Sequence, residues 1–137
     1  MADVGTDHGY LPVYLAQNGI ARRIIATDSS AKSLETARRN AAARGVTDRI
    51  DFRVADGLAG VAAGEADTIV VAGLGGETIA RIIADAPWIK ECCKLILQPQ
   101  TKLGELVRTL GDLGFSITDA ELVSEKGRCY TVIVACS

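Results

Sequence analysis

A chain of 137 residues, 48% of them hydrophobic, has room for one compact domain with one core, so two domains are not expected. The net charge of −2 argues against a protein whose whole surface binds nucleic acid, although it leaves room for a local basic patch. The four cysteines (Cys92, Cys93, Cys129 and Cys136) have no Cys-x-x-Cys spacing and no histidine cluster beside them, which argues against a zinc or redox motif and favours reduced thiols.

The chain opens with a short apolar strand, a glycine turn and a helix. Gly5 and Gly9 mark a turn where backbone without Cβ bends sharply or lies against a ligand. Pro12 fits the first turn of the helix, which continues to Asn18-Gly19. A first strand that begins at Met1 is short for the centre of a sheet, where about five or six residues are usual. We therefore expect this sequence to be part of a longer protein.

Acidic residues accompany the glycines of the first turn. The spacing Asp3-x-Gly5-x-Asp7-x-Gly9 resembles the acidic-x-Gly-x-Gly-x-Gly loop of S-adenosylmethionine (SAM) dependent methyltransferases, with Asp7 in place of the middle glycine. An acidic loop tolerates the sulfonium of SAM but repels the pyrophosphate of a dinucleotide, whose Gly-x-Gly-x-x-Gly motif is missing. The alternative is that Gly5 and Gly9 only make a tight turn.

The run from Arg22 to Asp28 predicts a second buried strand that ends on an acidic residue. At this strand end the Asp28 carboxylate can accept hydrogen bonds from both ribose hydroxyls of an adenosine cofactor. The alternative is that Asp28 only helps Ser29 and Ser30 to cap the next helix. That helix is predicted from Ser30 to Arg44 by its amphipathic pattern.

Alternation of apolar and polar residues from Arg49 to Ala55 predicts a third strand near a sheet edge. The following Asp56 can accept a hydrogen bond from the exocyclic amine of adenine, with Gly57 in the turn. A plain Asp-Gly turn is an equal alternative. Ala59 to Ala63 is predicted as a short helix.

The second half continues the alternation of strands and helices. The apolar run from Asp67 to Ala72 is typical of a central parallel strand. Gly73-Leu-Gly-Gly76 follows as a loop that lets backbone approach a ligand. The remaining predicted elements are a helix over Glu77–Asp85, a strand over Lys94–Leu97 followed by Gln98-Pro99, and a helix over Lys102–Leu113 capped by Thr101.

The chain ends with two strand-like runs, Phe115 to Val123 and Cys129 to Cys136, which predict an antiparallel hairpin. Five strands alternating with helices before this hairpin indicate an α/β fold with a doubly wound, Rossmann-like sheet. A terminal hairpin is the pattern of SAM-dependent methyltransferases, so by analogy we expect their fold. Ligands of such sheets lie across the carboxyl ends of the strands.

Three segments carry a closer resemblance: Asp3-Val-Gly-Thr-Asp-His-Gly-Tyr-Leu-Pro12, Ala72-Gly-Leu-Gly-Gly76 and Leu95-Ile-Leu-Gln-Pro99. With them the sequence resembles the bacterial tRNA (adenine-22, N1)-methyltransferase family over essentially its whole length. The resemblance implies methyl transfer from SAM to N1 of a tRNA adenine. Members of that family also carry helical segments before the first strand and after the last, which are expected to help hold tRNA. Cofactor binding is therefore implied more directly than substrate binding.

The fold and the resemblance together predict a set of site residues. Cofactor binding is expected of residues at the ends of the first four strands: Asp3, Gly5, Thr6, Asp7, Gly9, Asp28, Ser29, Asp56, Gly57 and Gly73. Substrate binding is expected of Gly75, Gly76, Gln98 and Pro99. The glycine loop lacks the Asp/Asn-Pro-Pro-Tyr arrangement of many amino-group methyltransferases, and it suits a ring nitrogen with a free lone pair.

Asp7, His8 and Tyr10 are the candidate catalytic residues. Asp7 could stabilise the positive charge that develops on the base as N1 is methylated. His8, the only histidine, could donate to the substrate or transfer a proton, but a structural role is at least as good an interpretation. Tyr10 could stack on a base turned out of the tRNA, or it could lie half in the core.

Five arginines are candidates for contacts to tRNA phosphates, although a solvated helix face explains most of them equally well: Arg22, Arg23, Arg38, Arg39 and Arg44. Two other functions stay open, a SAM-dependent methyltransferase of small molecules and a SAM-binding domain without transfer activity. The sequence contains no signal peptide and no apolar run long enough to span a bilayer, so we expect a soluble cytoplasmic protein without membrane or metal partners. It does not predict the oligomeric state.

Overall fold

The computed structural model describes residues 1–91 and 93–137, and Cys92 lies outside them. The chain divides into two compact units, Met1–Ala66 and Asp67–Ser137. The described residues form seven strands and four α-helices. An α-helix follows the first, second, fourth and fifth strands, whereas the third strand leads to the fourth without one. Among these residues, no helix is long and apolar enough to cross a membrane, and no group of three His, Cys, Asp or Glu side chains could hold a metal ion.

The first unit contains three parallel strands and two α-helices. Its elements are β1 (Ala2–Val4), α1 (Tyr10–Gln17), β2 (Ile24–Asp28), α2 (Ala31–Ala43) and β3 (Ile50–Val54). Strand β2 pairs with β1 on one side and with β3 on the other. Apolar side chains of both helices pack with β2 and β3 in a buried cluster that includes Leu15, Ile24, Ala41 and Ile50.

Helix α2 forms where its capping residue and apolar spacing predict it. The Ser30 Oγ accepts a hydrogen bond from the Ser33 N–H (3.1 Å), which satisfies one of the free donors at the helix start. The buried residues Leu34, Ala37 and Ala41 repeat at helical spacing and face the core. Both the helix and its buried face are confirmed.

The second unit combines parallel and antiparallel pairing. Its elements are β4 (Thr68–Leu74), α3 (Gly76–Ala84), β5 (Lys94–Pro99), α4 (Leu103–Asp112), β6 (Ser116–Glu125) and β7 (Arg128–Cys136). Strands β4 and β5 are parallel, and β7 is antiparallel to both β5 and β6. The predicted α/β class and terminal hairpin are confirmed.

The structure corrects three predicted elements. The segment from Ala59 to Ala63 forms turns instead of a helix, since its backbone folds back so closely that a Cβ on Gly60 would lie 2.6 Å from the Ala55 Cβ. Strand β5 extends through Pro99 because Leu74 of β4 pairs with it beyond a bulge. Lys102, in the left-handed conformation (φ 58°), precedes α4 without a side-chain cap, so the predicted Thr101 cap is wrong.

Strand β1 carries a buried carboxyl group. Asp3 is only 4% exposed, and its Oδ2 accepts a 2.7 Å hydrogen bond from the Thr6 Oγ1. Loss of hydration on burial raises the pKa of Asp3 to about 6, the Thr6 hydrogen bond offsets part of this rise, and the nearby Asp28 carboxylate adds to it. The folded state therefore favours the protonated form of Asp3 more than the unfolded chain does.

We expect this difference to appear as pH-dependent stability. Because the folded pKa lies above the unfolded value of 3.8, the stabilising contribution of Asp3 is complete below that value and is lost as the pH rises through about 6. Replacing Asp3 by Asn removes the titration, so Asp3→Asn should gain up to about 3 kcal/mol of unfolding free energy relative to wild type between about pH 4 and pH 7. Urea denaturation across this range measures the gain. A difference between the two proteins that stays constant with pH would contradict the prediction.

Candidate functional site

The loop between β1 and α1 is a tight left-handed turn. Gly5, Asp7 and Gly9 have φ values of 75°, 52° and 75°. The N–H groups of Gly5 and Thr6 both donate to the Thr27 carbonyl at 2.9 Å, and the Gly9 N–H donates to the Thr6 carbonyl at 3.0 Å. These bonds fold the loop over the carboxyl end of β2.

Helix α2 fixes the end of this loop. A Cβ on Gly9 would lie 2.7 Å from the Ala37 Cβ, so only glycine fits both the contact and the positive φ. The Asn40 Nδ2 donates a 2.8 Å hydrogen bond to the His8 carbonyl. The start of α1 is therefore held against α2 by a close contact and a hydrogen bond.

Asp28 connects three segments at the end of β2. Its Oδ2 accepts the Asp7 N–H and its Oδ1 accepts the Ser30 N–H, each at 2.9 Å, while its carbonyl accepts the Ala55 N–H at 3.0 Å. Each carboxylate oxygen has about two lone-pair positions, so each can accept one further hydrogen bond. The half-buried Asp28 side chain thus orders the loop and can still receive two donors from a ligand. The neighbouring Ser29 is exposed.

The end of β3 is tied to the same place. The Thr27 Oγ1 donates to the Gly57 carbonyl at 3.3 Å, and Gly57 has a φ of 57°. Asp56 precedes it with an exposed side chain. The three strand ends of the first unit therefore converge, together with the residues predicted from them.

Two predicted cofactor residues lie beneath the loop instead of on its surface. Asp3 and Thr6 are 4% and 8% exposed and are hydrogen-bonded to each other. Burial raises the pKa of Asp3 to about 6, as described above. In this conformation their side chains hold the turn from below.

The candidate catalytic residues lie together on the surface. The His8 Nε2 is 3.7 Å from the Asp7 Oδ1, and the Asp7 side chain is 70% exposed. The His8 ring meets the Tyr10 ring edge to face, with centroids 5.9 Å apart at an angle of 88°. Tyr10 is 71% exposed, so the interpretation that it lies half in the core is wrong.

The predicted substrate residues converge within the second unit. The Gly73 N–H donates to the Gln98 Oε1 at 3.0 Å, which engages the Gln98 side chain in holding the end of β4. The Gly76 N–H donates to the Thr101 carbonyl at 2.7 Å. A Cβ on Gly75 would lie 3.2 Å from the Thr101 Oγ1. Close packing of this glycine loop against the segment that follows β5 leaves little space for side chains.

Two of the five candidate arginines are engaged in contacts within the protein. Arg38 donates to the Phe52 carbonyl at 3.4 Å and lies 5.6 Å from the centre of the Phe52 ring. Arg39 forms an exposed ion pair with Glu35 at 3.4 Å. Arg39 thus fits the alternative interpretation of a solvated helix face, whereas Arg38 packs on β3.

The other three arginines lie in different surroundings. Arg22 and Arg23 precede β2 at its amino end, whereas the converging loops lie at its carboxyl end. Arg44 lines a groove of about 470 Å³ between α1 and α2, together with Tyr10 and Tyr14. Arg44 therefore lies in the same groove as Tyr10, a candidate catalytic residue.

Two features of the structure were not predicted from the sequence. Asn40 occupies one of several polar positions on α2, so its bond to the loop leaves no periodic signal. A cleft in the second unit is lined by residues 99–103 and 128–131, including Lys102, Arg128 and Tyr130. These segments are distant in sequence, and only the pairing of β7 with β5 brings them together.

Known proteins share both the sequence pattern and the fold. A family model described as "Methyltransferase domain" matches residues 1–133. The chain is 37% identical over 138 residues to the tRNA (adenine(22)-N(1))-methyltransferase of Bacillus subtilis (strain 168), which covers 98% of this chain and 57% of that protein.

Two solved structures are similar over nearly the whole chain. The crystal structure of the B. subtilis M1A22 tRNA methyltransferase TrmK has a TM-score of 0.94 and 34% identity, covering 100% of this chain and 59% of that one. The crystal structure of Streptococcus pneumoniae Sp1610 in complex with S-adenosyl-L-methionine has a TM-score of 0.93 and 33% identity. The match covers 99% of this chain and 64% of that one.

These similarities confirm the resemblance found in the sequence and the Rossmann-like methyltransferase fold. The chain spans 57 to 64% of the length of the three proteins. Since the family model covers all but the last four residues, and the loops that it includes converge as described, the chain belongs to the methyltransferase domain family.

Proposed function

We propose that residues 1–137 form the catalytic domain of a SAM-dependent methyltransferase that methylates N1 of an adenine in tRNA. The observation that carries the proposal is the Asp28 carboxylate, which orders the left-handed turn and keeps two acceptor positions for a ribose. The similarity to proteins named as adenine-22 tRNA methyltransferases supports the choice of substrate. Action on tRNA also favours a location in the cytoplasm.

The residues of the first unit fit SAM chemically. Gly5 and Gly9 take the left-handed backbone that the loop requires, and the exposed Asp7 suits a cationic ligand better than a phosphate. Asp28 would receive the ribose hydroxyls, and Asp56 would receive the adenine amine. Asp3 and Thr6 would act by shaping the turn, because they are buried and bonded to each other.

When bound, SAM supplies an electrophilic methyl group attached to positively charged sulfur. The work of the protein is to hold the N1 lone pair of adenine in line with the methyl carbon, so no covalent enzyme intermediate is needed. Asp7, with His8 beside it, would stabilise the positive charge that the methylated ring acquires. Tyr10 exposes a ring on which an adenine turned out of the tRNA could stack.

The second unit would contribute backbone to the substrate. Gly75 and Gly76 lie where the chain leaves β4, and Gln98 holds that strand end through Gly73. Residues 73–76 themselves carry no carboxamide or carboxylate, which suits a ring nitrogen that has no proton to give up. Pro99, at the end of β5, adds a rigid edge to the same loop.

Nucleoside mass spectrometry tests the activity directly. Unmodified tRNA incubated with this chain and SAM should gain N1-methyladenosine, because the domain supplies the cofactor loop and the glycine loop. Labelled SAM offered to a metabolite pool is the control for a small-molecule substrate. SAM binding by calorimetry without any methylated product would instead indicate a binding domain.

Asp28→Ala tests the ribose contact. Loss of two charged hydrogen bonds should weaken SAM binding by about 1–3 kcal/mol in calorimetry. Asp48→Ala removes an exposed carboxylate from the same unit and should leave the affinity as in wild type. Equal affinities of the Asp28 variant and wild type would rule out the ribose role.

Asp7→Asn separates catalysis from binding. Asparagine tolerates the left-handed backbone at this position, so the loop should keep its shape while losing a charge. Turnover should fall more than SAM affinity, as measured by methyl incorporation and calorimetry. If both fall by the same factor, Asp7 acts only as a cofactor ligand.

A further inference from the structure

The second unit contains an open cleft that shares only Pro99 with the proposed cofactor and adenine contacts. Its volume is about 540 Å³, within the range of about 300–1,000 Å³ of small-ligand sites. One wall is the segment that joins β5 to α4, and the other is the start of β7. Thr101 in the first wall accepts the Gly76 N–H, so the cleft borders the predicted substrate loop.

Two cations from separate segments line the cleft. Lys102 has its Nζ 3.9 Å from the Glu105 carboxylate, an exposed pair of little strength. Arg128 is exposed, and its guanidinium makes no hydrogen bond or ion pair with any residue that the structure describes. Both side chains are therefore available to an anion from outside the chain.

The rest of the lining favours a nucleotide over an apolar ligand. Tyr130 is half-buried beside Arg128, which gives the cleft an aromatic wall. The remaining lining adds the polar side chains of Gln100, Thr101 and Thr131 beside Pro99, Leu103 and Cys129. Cations that bind phosphates, together with an aromatic ring that stacks on bases, are the combination that binds single-stranded nucleic acid.

We propose that this cleft binds the sugar–phosphate backbone of the RNA strand next to the adenine that is methylated. Lys102 and Arg128 contact phosphates, and Tyr130 stacks on a neighbouring base. The inference rests on the proposed function and deepens it, since it assigns the flanking nucleotides to named side chains. A single strand is required because a base inside a duplex has no free face for Tyr130. Turning the adenine out of its stack exposes such a strand.

A charge-neutral double variant tests the phosphate contacts. Lys102→Gln with Arg128→Gln should lower the affinity for tRNA by about tenfold or more in fluorescence anisotropy. The slope of log K against log salt should fall by about 1.4 to 1.8, since each of the two lost phosphate contacts removes about 0.7 to 0.9. SAM affinity should stay as in wild type, because neither Lys102 nor Arg128 is among the predicted cofactor residues. A thermal melt checks that the variant is folded.

The matched control removes the same charge elsewhere in the second unit. Lys94→Gln with Arg108→Gln changes two exposed cations that do not line the cleft, so its salt slope should stay near that of wild type. Tyr130→Phe should keep the affinity for a single-stranded oligonucleotide, whereas Tyr130→Ala should lower it. Equal tRNA affinity and salt slope in the two double variants would overturn the inference.

Further outcomes separate this inference from the proposed function. If the cleft variant loses tRNA affinity but wild type produces no N1-methyladenosine, the cleft assignment holds and the proposed activity fails. If wild type methylates tRNA and the cleft variant binds and methylates equally well, the activity stands and the inference fails. Displacement of the oligonucleotide by AMP at equal concentration, or no tRNA binding by wild type at about 50 mM salt, would also overturn it.

Discussion

The hydrogen bond between the Asp28 carboxylate and the Asp7 N–H is the interaction on which the first unit depends. It joins the end of β2 to the loop after β1, and the same carboxylate receives the start of α2 through Ser30. The loop is therefore ordered before any ligand arrives, which lowers the entropy cost of binding. Because one side chain both orders the loop and offers acceptors, loop geometry and ligand recognition are coupled.

The alternation of strands and helices was predictable because it rests on local patterns. Helix α2 has a serine cap and a buried face at helical spacing, and β4 begins with a continuous apolar run. The residues of each element are therefore enough to predict its type. Strand ends were less predictable. Gln98 and Pro99 join β5 only because β4 continues beside them past a bulge, a pairing between segments more than 20 residues apart.

For the candidate site, the sequence predicted which residues lie close together better than it predicted what each side chain does. Asp28 and Gly57 meet as expected because parallel strands bring their carboxyl ends to one edge. The sequence does not distinguish Asp3, which is buried against Thr6, from Asp7, which is exposed four residues later. Nothing in the sequence marked Arg128 as a candidate site residue, because its neighbours in the cleft come from a distant segment.

The contact between Gly9 and Ala37 means that the loop is shaped by a helix that lies outside it in sequence. A methyl group at position 37 already fills the available space, so a larger side chain there would push α1 away and change the width of the turn. The turn and α2 thus form one transferable module. Residues 3–12 grafted into another protein would keep their geometry only if the helix packed against them had a small residue at the position of Ala37.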